Sequence, residues 1–227
     1  MYFEGKIKIL GKIDVSGIKK SLLAIEDSVW EIESRRKDNK NFRDCQTIWL
    51  RLHMETLDNL LHTVNIIDRY NIEDFKIQCN KLVNQIEQIV GGSTIRASII
   101  RLPSNQQIHR HMDGPYNIFK YCHRIVLPLM HNNTPYLYFD DDQFILEDGV
   151  LYDTNGYRPH WAKNDKDNYI YTAVFDILPK DETAVIIQDH PDTPKIWEWL
   201  REIGGKKKLR QLFGSDDWQI VMNNAKK

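Results

Sequence analysis

Hydrophobic and polar positions change rhythm along this chain, and the changes divide it into stretches. Residues 6–13 alternate weakly, with Ile7, Ile9, Leu10 and Ile13 among polar neighbours, and predict a short strand. Over residues 17–35 the apolar positions Ile18, Leu22, Leu23, Ile25, Val29, Trp30 and Ile32 recur at helical spacing. A polar stretch at residues 34–44 predicts a loop, and the alternation from Thr47 to His53 predicts a strand. Ile72, Phe75, Ile77, Leu82, Val83, Ile86, Ile89 and Val90 predict a second helix over residues 72–90. Gly91-Gly92 ends it, because glycine enters the left-handed backbone of a helix C-terminus without steric cost.

After that glycine pair the texture turns to short β-type runs with turn residues between them. They fall at residues 94–102, 122–129, 136–139, 144–146, 150–152 and 169–177. Such spacing predicts a sandwich or barrel. Beyond Asp176 the pattern becomes helical again, with Thr193-Pro194 as a helix start and Trp197, Leu200 and Ile203 as an apolar face. The fold class expected is α+β: a double-stranded β-helix (jelly-roll) core flanked by N-terminal and C-terminal helices. With no internal repeat and no linker, residues 1–227 read as one domain. Within it, residues 1–92 are strands and a helical flank, 93–178 the core and 179–227 the C-terminal helices.

Composition narrows the function classes. Charged residues make up 28% and hydrophobic ones 41%, a soluble balance, and 31 basic against 32 acidic side chains leave a net charge of −1. No global positive field draws nucleic acid or an anionic lipid surface, so neither is expected as a partner. The basic run Lys206-Lys207-Lys208 with Arg210 reads as a solvated helix face. Cys45, Cys79 and Cys122 are odd in number and far apart, which predicts neither disulfides nor a zinc-thiolate site. The N-terminal residues lack the apolar core of a signal peptide, and no run approaches the roughly 20 apolar residues of a membrane span. The expected location is cytoplasmic.

Candidate chemistry gathers at His111-Met112-Asp113 and His160. Residues i and i+2 of a strand share a face, so His111 and Asp113 can converge on one point, and a returning antiparallel strand can bring His160 to it. Two imidazoles and one carboxylate on one face of an ion leave open positions, the arrangement suited to non-haem iron(II). Spacing alone leaves a metal-free hydrogen-bonded cluster as an equal reading. His190-Pro191-Asp192 repeats the His-x-Asp spacing, but no later histidine completes a triad, and it reads as a loop with a capping Asp192. His109 reads as a neighbour of the site. His53, His62, His123 and His131 read as surface or structural residues. Tyr116, Phe119, Tyr121, Tyr136, Tyr138 and Trp161 read as jelly-roll core, with pocket walls as the alternative. Asp140-Asp141-Asp142, with Glu147 and Asp148, reads as a solvated turn.

From residue 94 to 177 the chain resembles the aspartyl/asparaginyl β-hydroxylase-like family of iron(II)/2-oxoglutarate oxygenases. The likeness is carried, in order, by Arg101-Leu102-Pro103 leading to Ile108-His109-Arg110-His111-Met112-Asp113 and by Arg124-Ile125-Val126-Leu127-Pro128-Leu129. Asn133-Thr134-Pro135 with Phe139, and Gly149-Val150-Leu151-Tyr152-Asp153, come next. His160-Trp161-Ala162-Lys163-Asn164 and Tyr171-Thr172-Ala173-Val174-Phe175-Asp176 complete it. The resemblance implies iron(II) held by His111, Asp113 and His160, with 2-oxoglutarate and O2 as cosubstrates. It implies hydroxylation of a small, amino-acid-like molecule or of a peptide side chain. Asn164 is implied as a residue beside the cofactor or in the turn. The alternatives are a catalytically silent jelly-roll binding module and a cupin-like metal enzyme that does not use 2-oxoglutarate.

One position departs from the family pattern. An arginine ten residues after the distal histidine pairs with the far carboxylate of 2-oxoglutarate in the family; here that residue is Ile170. A bidentate guanidinium is not replaced by an alkyl group or a phenol. Arg124 is therefore expected to bind the cosubstrate, ahead of Lys163 and Lys166.

Overall fold

The computed structural model describes residues 5–32, 41–53, 63–113, 122–131, 133–156 and 158–179. The predicted C-terminal helices, the basic run at 206–210 and His190-Pro191-Asp192 lie outside the described residues. So do His62, Tyr116, Phe119 and Tyr121.

Strand β1 (Ile7–Lys12) is followed by helices α1 (Ser16–Leu23) and α2 (Asp27–Glu31), then by β2 (Gln46–His53) and β3 (Thr63–Asn65). Helix α3 (Glu73–Val90) leads into β4 (Gly92–Leu102) and β5 (Gln107–His111). The remaining strands are β6 (His123–Met130), β7 (Pro135–Phe139), β8 (Asp142–Ile145), β9 (Val150–Thr154), β10 (His160–Lys163) and β11 (Ile170–Pro179). A seven-stranded sheet runs β1-β9-β6-β11-β4-β2-β3, and a four-stranded sheet β5-β10-β7-β8 faces it. This is a jelly-roll core with few helices, and those described flank the larger sheet. Residues before 92 supply three strands of that sheet, so the core extends beyond 93–178.

Strand alternation sorts the side chains into two cores. On β11, Tyr171, Ala173, Phe175 and Ile177 point toward the helices, where they meet Ile99, Ile125, Leu127, Trp30 and Phe75. Ile170 and Val174 point the other way and pack between the sheets with Ile100, Leu102, Val126, Leu137, Phe139 and Ala162. Burying one such large side chain stabilises the fold by about 1.5–3 kcal/mol, enough to fix which face each residue takes.

The helix predicted over 17–35 is two short ones. Glu26 is extended (φ −65°, ψ 149°), and the break re-aims α2 so that Trp30 is fully buried, edge-on to Tyr171 at 5.6 Å. Helix α3 ends as read: Gly91 sits at φ 78°, and its N–H donates to the Glu87 carbonyl at 2.9 Å. The acidic run forms the turn between β7 and β8 and its flank, where Asp142 pairs with Lys6 (2.8 Å) and Asp148 with Lys19 (2.7 Å). All three cysteines are buried, and none forms a disulfide. No helix among the described residues is long and apolar enough to cross a membrane.

Candidate metal centre

The two strands that deliver the histidines are short neighbours in the smaller sheet. His111 is the last residue of β5 and His160 the first of β10, and the antiparallel register sets them directly opposite each other. Their rings lie 4.4 Å apart, centre to centre. His111 Nδ1 meets the His109 carbonyl at 2.7 Å, and His160 Nδ1 meets the Arg158 carbonyl at 2.9 Å. A carbonyl only accepts, so each Nδ1 carries a proton, and Nε2 is the nitrogen each neutral ring offers as a ligand.

Those nitrogens face Asp113. His111 Nε2 is 3.8 Å from Asp113 Oδ1, and His160 Nε2 is 3.9 Å from Oδ2. One ligand atom from each of the three residues falls within 4.8 Å of the others. The loop after β9 holds Asp113: its N–H donates to the Gly156 carbonyl at 2.8 Å, and a Cβ on Gly156 would collide with the carboxylate. Asp113 Oδ2 is buried and has no hydrogen-bond partner, a costly state for a carboxylate oxygen unless a cation completes it. The donor set therefore fits a metal ion. Phe42 and Phe139 wall the imidazoles at 4.8 and 5.4 Å.

Electrostatics keep His111 and Asp113 in their metal-binding forms. Burial, reinforced by the neighbouring His160, pushes the His111 pKa down and favours its neutral form. Burial alone would push Asp113 up; the Arg124 guanidinium, with His160, His111 and Arg96, overrides it and holds the carboxyl below its usual range. Arg124 Nη1 donates to Asp113 Oδ1 at 3.2 Å, and its Nε pairs with Asp176 Oδ1 at 2.5 Å. Asp176 also pairs with Arg96. The register explains this chain of charges: Asp176 on β11 lies opposite Arg96 on β4 and Arg124 on β6, a cross-strand row between the sheets.

The other expected residues fall as follows. His109 turns its ring to Asp44 (3.1 Å) and serves the site through its carbonyl. Asn164 is fully buried and is taken up by the turn after β10, the second of its two expected places. Its amide donates to the carbonyls of Leu102, Pro103 and Asn168, and its oxygen accepts from the Lys166 N–H. Lys163 pairs with Asp165 at 2.7 Å. Ile170 is fully buried in the inter-sheet core. His123 pairs with Asp153 at 2.6 Å. His131, read as surface or structural, is fully buried, with Nε2 2.7 Å from Thr172 Oγ1. Sequence reasoning did not bring out Gly156, Arg96 and Asp176. The only signal for Asp176 was a carboxylate closing an apolar strand.

Among solved structures, the chain is similar to a prolyl hydroxylase from Trichoplax adhaerens in complex with a hypoxia inducible factor peptide fragment. That match has 13% identity, a TM-score of 0.48, and covers 80% of this chain and 87% of that one. A prolyl-4-hydroxylase from Pseudomonas putida matches at 13% identity and a TM-score of 0.46, over 78% and 94% of the two chains. A 2OG-Fe(II) oxygenase family oxidoreductase from Burkholderia pseudomallei matches at 13% identity and 0.45, over 59% and 67%. No curated protein sequence matches the chain. The aspartyl/asparaginyl beta-hydroxylase family model matches residues 14–179, well over half of the sequence, and the chain belongs to that family.

Proposed function

We propose that this protein is an iron(II)/2-oxoglutarate-dependent oxygenase that hydroxylates a small, amino-acid-like molecule or a peptide side chain. All 227 residues are read as one domain. The observation that carries the reading is the donor set: two imidazoles fixed through Nδ1, with both Nε2 atoms and the orphaned Asp113 Oδ2 turned to one point.

His111, Asp113 and His160 would hold the iron, leaving positions open for cosubstrate and oxygen. Bound there, iron with 2-oxoglutarate supplies the oxidising chemistry that inserts oxygen into a C–H bond. The chain's own residues do the rest. The carbonyls of His109 and Arg158 hold a proton on each Nδ1 and so fix the ring orientation. Arg124 orients Asp113 and, from beside that carboxylate, would meet the chelating end of the cosubstrate. Asn164 braces the turn that joins β10 to β11, and so sets the end of the strand that begins with His160. Phe42 and Phe139 exclude water from the imidazoles.

The test is anaerobic addition of iron(II) and 2-oxoglutarate to the purified protein. A visible charge-transfer band, and succinate on admitting oxygen with a substrate, are expected. Ile170 favours a second reading, a metal enzyme of the same fold that does not use 2-oxoglutarate. Iron binding without the band would select it, and no iron binding would leave a silent binding module.

A further inference from the structure

Ile170 leaves the far carboxylate of 2-oxoglutarate without the arginine that the family pattern puts there. Arg124 and Arg96 do not reach that end, because both are gathered at the metal end of the larger sheet around Asp176. The inner face of β11 runs from Asp176 through Val174 and Thr172 to Ile170. A diacid leaving the metal along this face passes Val174 and meets Thr172 before Ile170. An arginine at 170, reaching back about two residues of strand or ~7 Å, would put its guanidinium at the level of Thr172.

What stands at that level is polar and buried. Thr172 is 1% exposed and His131 is 0% exposed. His131 Nε2 lies 2.7 Å from Thr172 Oγ1, and its Nδ1 is buried with no hydrogen-bond partner. Tyr136 packs edge-on to the imidazole at 4.2 Å, which fixes the ring. A buried ring nitrogen with nothing to bond is a cost that folding alone does not require, because an apolar side chain would fill the same space.

We infer that the Thr172 hydroxyl and the His131 imidazole seat the far carboxylate of 2-oxoglutarate in this chain, in place of an arginine. The inference rests on the oxygenase reading above. The hydroxyl donates to the carboxylate, and the imidazole takes up a proton as the carboxylate arrives, so that the buried anion gains a cation. The charged groups facing His131 are Lys19 of α1, which pairs with Asp148, and Asp148, which accepts the His131 N–H at 3.0 Å. They offset each other and leave the ring's charge to the ligand.

The experiment titrates 2-oxoglutarate calorimetrically into the anaerobic iron(II) protein, in two buffers of different ionisation heat. Wild type should take up close to one proton per molecule bound, and His131→Gln none. Thr172→Val should weaken 2-oxoglutarate roughly ten- to a hundredfold, the worth of a hydrogen bond to a charged group, with iron affinity unchanged. Thr172→Ser should restore it, which separates anchoring from packing. Equal 2-oxoglutarate affinity in Thr172→Val and wild type, or no proton uptake by wild type, would overturn the inference. Failure of the wild-type iron protein to bind 2-oxoglutarate at all would instead overturn the oxygenase reading beneath it.

Discussion

Gly156→Ala tests the metal centre without touching a ligand. The Gly156 carbonyl accepts the Asp113 N–H, and the carboxylate occupies the space that a side chain on residue 156 would need. A Cβ there would stand 2.8 Å from Asp113 Cγ and closer still to Oδ2, against the 3.4 Å at which ordinary contact begins. Gly156 is not among the glycines with positive φ, so the backbone accepts alanine and the conflict is steric. The carboxylate must retreat by more than the ~0.2 Å within which metal–ligand distances hold. Displacing a ligand's support in this way costs about 10–100-fold in metal affinity, or about 1.4–2.8 kcal/mol. The assay is competition for iron(II) against a chelator under anaerobic conditions, with thermal unfolding of the metal-free protein as the folding control. Wild-type iron affinity in a folded Gly156→Ala protein would refute the packing of Asp113 against this loop, and with it the placement of the carboxylate.

Three further outcomes are expected. His111→Ala should abolish iron retention while the fold persists, and metal analysis after desalting decides it; full retention would remove His111 from the ligand set. Arg124→Gln should weaken 2-oxoglutarate more than iron and, by leaving Asp113 without its nearest cation, destabilise the metal-free protein by about 3 kcal/mol in urea unfolding. A loss under about 1 kcal/mol would mean the ion pair with Asp113 does not form. Burial pushes the His131 pKa down to about 3, so below the unfolded value of about 6.5 the unfolded chain binds a proton that the fold refuses. Stability is therefore lost as pH falls through that window, by about 1.3 kcal/mol at pH 5.5 relative to pH 7, and His131→Gln should lack this component; identical pH slopes in the two proteins would show that His131 is not buried neutral.

How much of this could be read from the sequence depends on how local each feature is. β4, β6 and β11 are long and apolar on both faces, so their β character was plain. β5 (Gln107–His111) and β10 (His160–Lys163) deliver the histidines, yet they are four or five residues long and mostly polar. Their strand character comes from pairing with each other and with β7, which no local window contains. The grouping of His111, Asp113 and His160 was anticipated through the family resemblance, because His123 and His131 also stand at the ends of a strand and local spacing does not choose among them. The row Arg96-Asp176-Arg124 was not, because cross-strand register set it. Gly156 was silent for the same reason: its role is to be small next to a residue from another loop.

The departure at Ile170 shows the same asymmetry most sharply. A missing charge can be read from one position, and the alkyl side chain found there is fully buried among Leu102, Ile108 and Ala162, where an arginine would have had to bring a counter-charge. Its replacement cannot be read that way. His131 follows the end of β6, and in sequence nothing separates it from a loop histidine at the surface. Only the fold carries it beneath Tyr136 and against the Thr172 hydroxyl on the neighbouring strand. The physical demand, however, could be stated in advance: a buried carboxylate needs a donor and a cation, and a pocket that has lost a permanent cation must gain one that forms on demand. Among the side chains that can do so near neutral pH, histidine is the first.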